Sequence, residues 1–201
     1  MWVEITDGTQ KGGDMEKIKL DNSTRVFPMP MVVVGAVVDG KNNYLAVAWV
    51  SWVNSNPPMI GVALGKGHHT NKGIREHQEF GVSIPGVDLI KTVDYVGLVS
   101  GAKTDKSKIF ESFQGQLKHA PMIRHSPVSL ECKVVTKVDL PSNEFFIGEI
   151  VGVYTEERYL TDGKPDIKKI RPFMLTMPDN RYRDIGEIIG SAWSIGKGFQ
   201  V

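Results

Sequence analysis

The chain has 201 residues, 41% of them hydrophobic, with 24 basic and 23 acidic side chains and a formal charge of +1. That length suits one domain with a sizeable core, and the charge balance argues against a dedicated nucleic-acid or polyanion surface. The apolar runs, such as Val32–Val38, are too short to span a bilayer, so no membrane partner is expected.

Residues 1–14 carry Glu4 and Asp7 and show no clear period. They lack the long apolar stretch of a signal peptide, and a cytoplasmic location is expected. Residues 1–20 read as an N-terminal arm, with Met15 a second candidate start, and residues 21–201 as a single domain. The one cysteine, Cys132, excludes an internal disulfide and a multi-cysteine zinc site. It falls in the strand-like "SLECKVV", where a buried filler is expected.

From Val32, β-branched residues dominate. "MVVVGAVVDGKNNYLAVAWVSWV" predicts two strands joined through Asp39-Gly40, a turn dipeptide that accepts positive φ. "PPMIGVAL" predicts a third strand, begun by Pro57 and Pro58. "GKGHHTNKGIREHQ" is helix-compatible, and Phe80, Val82 and Ile84 alternate as a strand. Leu89, Val93 and Val96 have helical spacing, and "TDKSKIFESF" suggests a second short helix capped by Thr104 or Asp105. "PVSLECKVVTKVDLP" and "EFFIGEIVGVYTEERYL" predict a hairpin of long strands turning at Pro141-Ser142-Asn143. "DIKKIRPFMLT" predicts a last strand, and the tail from Asn180 has some helical character. Strands joined mostly by short turns, with helices inserted, predict a mainly β, antiparallel sheet or barrel.

Gly65, Gly67 and Gly73 lack the spacing of a dinucleotide fingerprint. His68 and His69 are adjacent and have no third ligand nearby in sequence, so no metal site is expected. Lys103, Lys106 and Lys108 form a small basic cluster. Trp49 and Trp52 sit among small residues. Period-two alternation puts Asn43, Val47, Trp49 and Ser51 on one face and Ala46, Ala48, Val50 and Trp52 on the other. Either tryptophan alone is compatible with core packing.

Taken in order, the segment from Asn43 through Trp49 to Ser51, Thr70 after the Pro-Pro strand, "SGAKTDKSKIF", "FFIGEIVGVY" and "RPFMLTMPDNRYRDIGEIIGSAWSIGK" resemble the flavin reductase-like family, with its flavoredoxins. The resemblance runs from about Val26 to Lys197. It implies an FMN-binding split β-barrel of Greek-key type with inserted helices, acting as a homodimer. Asn43 and Trp49 match an asparagine and tryptophan six apart that contact FMN, Thr70 matches the following threonine, and Lys106 best matches the lysine, with Lys103 and Lys108 close by. Phe173 and Tyr182 match aromatic residues late in the chain. Family members often carry a histidine before the "Gly-Glu" strand, where this chain has Asn143 or Glu144.

The chemistry of FMN suits these assignments. A flat ring needs an apolar wall, such as Trp49, and approachable backbone at Ala48, Val50 and Ser51. A phosphate needs hydroxyls, amides and a cation. Thr70, the Asn71 N–H and the start of the next helix are the candidates, with Lys66 or Lys72 adding charge. Lys106 either binds phosphate or stabilises the reduced flavin anion. The implied activity is electron transfer, either NADH- or NADPH-dependent reduction of flavin or ferric iron, or a non-enzymatic carrier role with a small-molecule or protein donor and acceptor.

Overall fold

The structure is a computed structural model and describes residues 17–199. In chain order, β1 (Met29–Pro30), β2 (Val32–Val38), β3 (Lys41–Val47), β4 (Val50–Ser55) and β5 (Pro58–Gly65) precede α1 (Thr70–His77) and β6 (Glu79–Ile84). Next come α2 (Ile90–Leu98), the short β7 (Ser112–Phe113) and β8 (Met122–Ile123), and the long β9 (Val128–Asp139) and β10 (Asn143–Thr155). After β11 (Leu160–Thr161), β12 (Lys164–Pro165) and α3 (Ile167–Ile170), the chain ends in β13 (Phe173–Thr176) and β14 (Arg181–Asp184).

Seven strands form one antiparallel sheet in the order β3-β2-β6-β9-β10-β5-β4. The two edge strands, β3 and β4, are joined only by Ala48 and Trp49. Three Cα steps reach at most about 11 Å, whereas a flat seven-stranded sheet would hold its edges about 29 Å apart. The sheet therefore curls until its edges meet, which makes it a barrel with a seam at Ala48–Trp49. The Trp49 carbonyl accepts from the Ala63 N–H at 2.9 Å, which extends the β4–β5 pairing up to the seam.

The long apolar run of β2 follows from its position. Val32, Val34 and Ala36 face the barrel interior with Leu45, Val62, Leu64, Phe80, Val82, Leu130, Cys132 and Phe146. Met31 and Val33 face outward into a second layer with Tyr44, Val93, Val96, Phe110, Ile123 and Phe173. A strand covered on both sides has no polar face to show. Cys132 is buried as expected, and burial, aided by the charge of Glu131, raises its thiol pKa well above the ordinary range.

The turn at Asp39-Gly40 has φ of 50° and 74°, the conformation that dipeptide accepts. The long hairpin β9–β10 pairs from Asp139–Glu144 to Val128–Thr155, as read from the sequence.

Four expectations are corrected. The second predicted strand is two strands on opposite edges. Its strict alternation fails because Val47 and Val50, three apart, both pack toward the barrel interior, so Trp49 and Ser51 do not continue the face of Asn43. The segment after Ala102 forms turns in place of a helix: Asp105 Oδ1 accepts from the Ser107 N–H at 2.9 Å, a local turn that competes with helix. "DIKKIRPFMLT" splits into α3 and β13. Asp166 caps α3 by accepting from the Lys168 N–H at 2.8 Å, and Arg171, at φ 49°, ends it before Pro172. The tail carries a strand, β14, followed by turns, with no helix among the described residues.

Candidate functional site

The seam leaves β3 as a sheet edge, and the site is built against it. The Tyr44 carbonyl points to the open side, where it accepts from Lys106 Nζ at 2.9 Å. Alternation of an antiparallel ladder then turns the Ala46 N–H and C=O outward as well. A small side chain at Ala46, and at Ala48 beyond it, leaves that backbone approachable.

Lys106 is 3% exposed. Besides Tyr44 O it donates to Val96 O in the last turn of α2, at 2.8 Å. Helix C-terminal carbonyls favour a cation. No carboxylate pairs with it among the described residues, and burial lowers its pKa to about 8. A buried ammonium held by two neutral carbonyls keeps one N–H in reserve.

The start of α1 forms the opposite end. Asn43 Nδ2 donates to Thr70 Oγ1 at 2.7 Å, tying β3 to the helix. Gly101 packs so closely that a Cβ there would lie 2.2 Å from Asn43 Oδ1. Asn71 is buried behind this bond, donating to Gly65 O at 3.1 Å and to Glu144 Oε2 at 2.7 Å. Glu144 also takes Arg75 at 2.5 Å and Lys137 at 3.2 Å. Burial pushes its pKa up, but the hydrogen bonds from Asn71 and Lys137 and the charges of Arg75 and Lys137 hold it below the ordinary carboxylate value. Glu144 thus belongs to a structural network, while its neighbour Asn143 lines the cleft.

Two cavities meet along this surface. One, of about 270 Å³, is lined by Leu45–Trp49, Ala63–Gly65, His68 and Asn143. The other, of about 320 Å³, is lined by Leu45, Gly65, Gly67–Thr70, Gly97–Gly101 and Lys106. They share Leu45, Gly65 and His68, so they form one elongated cleft. Its first half has an apolar wall ending in Trp49, and its second half has a hydroxyl, a helix N-terminus and a cation. The residues present fit FMN: ring against the wall and open backbone, phosphate toward Thr70 and α1, and an ammonium with an N–H in reserve.

A match to the flavin reductase like domain covers residues 24–186. The chain belongs to the flavin reductase like family. This family member is 52% identical to a flavoredoxin from Methanosarcina acetivorans, with a TM-score of 0.89 over 90% of this chain and 98% of that one. It is 33% identical to the flavoredoxin of Desulfovibrio vulgaris (Miyazaki F), with a TM-score of 0.83 over 90% and 100% of the two chains. A protein of Archaeoglobus fulgidus described as uncharacterized is 33% identical over 144 residues, 71% of this chain and 80% of that one. The split-barrel expectation holds, and no helix among the described residues is long and apolar enough to cross a membrane.

Of the residues that sequence singled out in this flavin reductase like chain, Ala48, Trp49, Thr70 and Lys106 line the cleft. Lys106, not Lys103 or Lys108, is the buried lysine of its cluster. Asn43 braces Thr70 and lines an adjoining polar pocket with Lys103 and Lys106. Asn71 lies behind the helix start. Val50 packs on the barrel interior and lines an apolar pocket on the far side of Trp49, where the Arg25 guanidinium lies 5.5 Å from the indole centroid. Ser51 is exposed and lines none of these cavities. Lys72 is engaged by Asp39 at 2.5 Å.

Phe173 and Tyr182 are not brought to the cleft. Their rings meet edge-on at 5.4 Å, and Tyr182 Oη donates to Asp94 Oδ1 of α2 at 2.7 Å. They hold the β13–β14 hairpin against the outer layer. Sequence reasoning left His68, Gly65 and the Gly97–Gly101 turn outside the site. Their signal was small: glycines and one histidine in loops, meaningful only once β5 and α2 converge on β3.

Proposed function

We propose that this chain binds FMN in the cleft at the barrel seam and uses it for electron transfer, accepting electrons from NADH or NADPH and passing them to free flavin, ferric iron or a protein. The observation that carries the reading is Lys106, a buried ammonium with no carboxylate partner among the described residues, at the end of a cleft whose other end is an aromatic wall.

Bound FMN would supply the redox chemistry, taking a hydride equivalent at its N5 edge. The chain's own contribution is placement and electrostatics. Trp49 and the Ala46–Ala48 backbone would hold the ring, and the Asn43-braced Thr70 and the start of α1 would hold the phosphate. The reserved N–H of Lys106 would face the negative charge that reduction adds, raising the flavin's potential. No side-chain acid or base is needed to pass a hydride.

The similarity to two flavoredoxins favours a second reading, an electron carrier reduced by a partner protein. Anaerobic titration of the FMN-loaded protein separates the two. Bleaching of the flavin by NADH or NADPH supports the reductase. No bleaching at saturating nicotinamide leaves the carrier. Absence of tight FMN binding would sink both.

The homodimer is part of the same proposal. Exposed Trp52, Val53, Val138 and Leu140 on the sheet, and Ile188, Ile189 and Trp193 on the tail, supply apolar surface for a second copy. Light scattering of the purified protein tests it. A cytoplasmic location agrees with the single, unpaired Cys132.

A further inference from the structure

His68 stands where the two halves of the cleft meet, lining both. Its position is built. The Gly65–His68 turn closes through the His68 N–H to Gly65 O at 3.0 Å. The ring then lies against Gly65 so closely that a Cβ there would sit 3.2 Å from both Cδ2 and Nε2. Gly65 is paired with Asn143 across β5 and β10, so the ring's seat is anchored in the sheet.

Neither ring nitrogen has a hydrogen-bond partner among the described residues. The imidazole is exposed, and where it lines both halves of the cleft its two free ring nitrogens are open to a ligand lying there. Desolvation, and then the charge of Lys106, lower its pKa, so the ring is neutral near pH 7 and offers one donor and one acceptor.

We infer that His68 is a flavin-contacting residue of this chain, seated by Gly65, which holds the waist of the bound cofactor where ring and ribityl chain join. The inference rests on the FMN reading above. It assigns His68 to the ring and sugar, and leaves the phosphate to Thr70 and α1.

The test compares FMN and riboflavin, which differ only in the phosphate, by fluorescence titration of the refolded full chain. His68→Ala is expected to weaken both ligands about equally, by about three- to tenfold, the scale of one neutral hydrogen bond. His68→Gln keeps a neutral donor and acceptor and should stay within about threefold of the unmodified chain. Gly65→Ala should push the ring into the cleft and weaken both flavins, yet add nothing in the His68→Ala background.

Unchanged affinity in His68→Ala overturns the inference, as does a loss confined to FMN, which would mark a phosphate contact. His68→Gln as weak as His68→Ala removes the hydrogen-bonding role. A Gly65→Ala effect that persists without His68 removes the seating role. Failure of the unmodified chain to bind either flavin overturns the FMN reading itself, and this inference with it.

Discussion

Lys106 Nζ donates to the outward-facing carbonyl of Tyr44 at 2.9 Å, so the open edge of the barrel is sealed by a cation instead of another strand. The second carbonyl, Val96 O, fixes the ammonium between sheet and α2. No carboxylate pairs with it among the described residues, and its charge is open to an anion.

Lys106→Met should weaken FMN binding by tenfold or more and lower the flavin's midpoint potential, since a charge-assisted contact is worth about 1.5–3 kcal/mol. Lys108→Ala should change neither. Titration and redox equilibration with reference dyes read both effects.

The same lysine sets a pH dependence. Its pKa is about 8 in the folded chain, below the ordinary 10.5. Between these values the unfolded chain binds more protons, so the apo-protein should gain stability as pH rises through that window. FMN, an anion, favours the protonated form, so its affinity should fall as pH rises above about 8. Urea unfolding and FMN titration across pH 7–10 should show these opposite slopes, and Lys106→Met should flatten both.

Trp49 and Trp52 differ in position. Trp49 walls the cleft at 43% exposure, while Trp52 lies on the outer hairpin at 57%. Trp49→Ala should weaken FMN or shift the flavin spectrum, and Trp52→Ala should leave both unchanged in the isolated chain. Equal effects would place the ring elsewhere.

Asn43→Ala should cost about 1–3 kcal/mol of stability, because Thr70 Oγ1 is left buried without its donor. It should also loosen FMN, since Thr70 loses its brace. Gly101→Ala should act similarly, because its methyl would collide with Asn43 Oδ1. Denaturant unfolding and FMN titration of the two variants check this.

Glu131 supplies a control far from the cleft. Its buried carboxylate accepts from the Gln116 and Leu117 N–H groups and from Tyr154 Oη. Glu131→Ala should be strongly destabilising, at about 1–3 kcal/mol for each donor left buried without its acceptor, yet leave FMN affinity per folded molecule unchanged. Tyr182→Phe, which loses only the bond to Asp94, should cost about 1 kcal/mol and likewise spare FMN affinity. A strong FMN effect there would return Tyr182 to the site.

Much of the fold was legible because alternation and turn chemistry are local. The hairpin at Asp39-Gly40, the helix at Thr70, the alternating Phe80–Ile84 and the long β9–β10 pair all follow from near neighbours. Element type is misread where one side chain decides the matter: Asp105 turning onto Ser107 replaces an expected helix with turns, and Asp166 capping α3 replaces expected strand with helix. Thr70, Lys106, Ala48 and Trp49 stood out through spacing and resemblance. His68 did not, because a histidine in a polar loop is unremarkable until the elements around it are placed.

The sequence by itself determined that this is a mainly β chain with short turns, two faces to bury and an aromatic among small residues near a Pro-Pro strand. Those properties reside in the periodicity of a few consecutive residues. Only the tertiary structure decided that Val47 and Val50 stand on opposite edges of one sheet, and that closing the sheet there creates the cleft. It also decided that Lys106 enters that cleft while Lys103 and Lys108 stay outside, and that Phe173 and Tyr182 serve packing. Those outcomes depend on which distant strands share hydrogen bonds, and on which charge must find carbonyls once water is excluded.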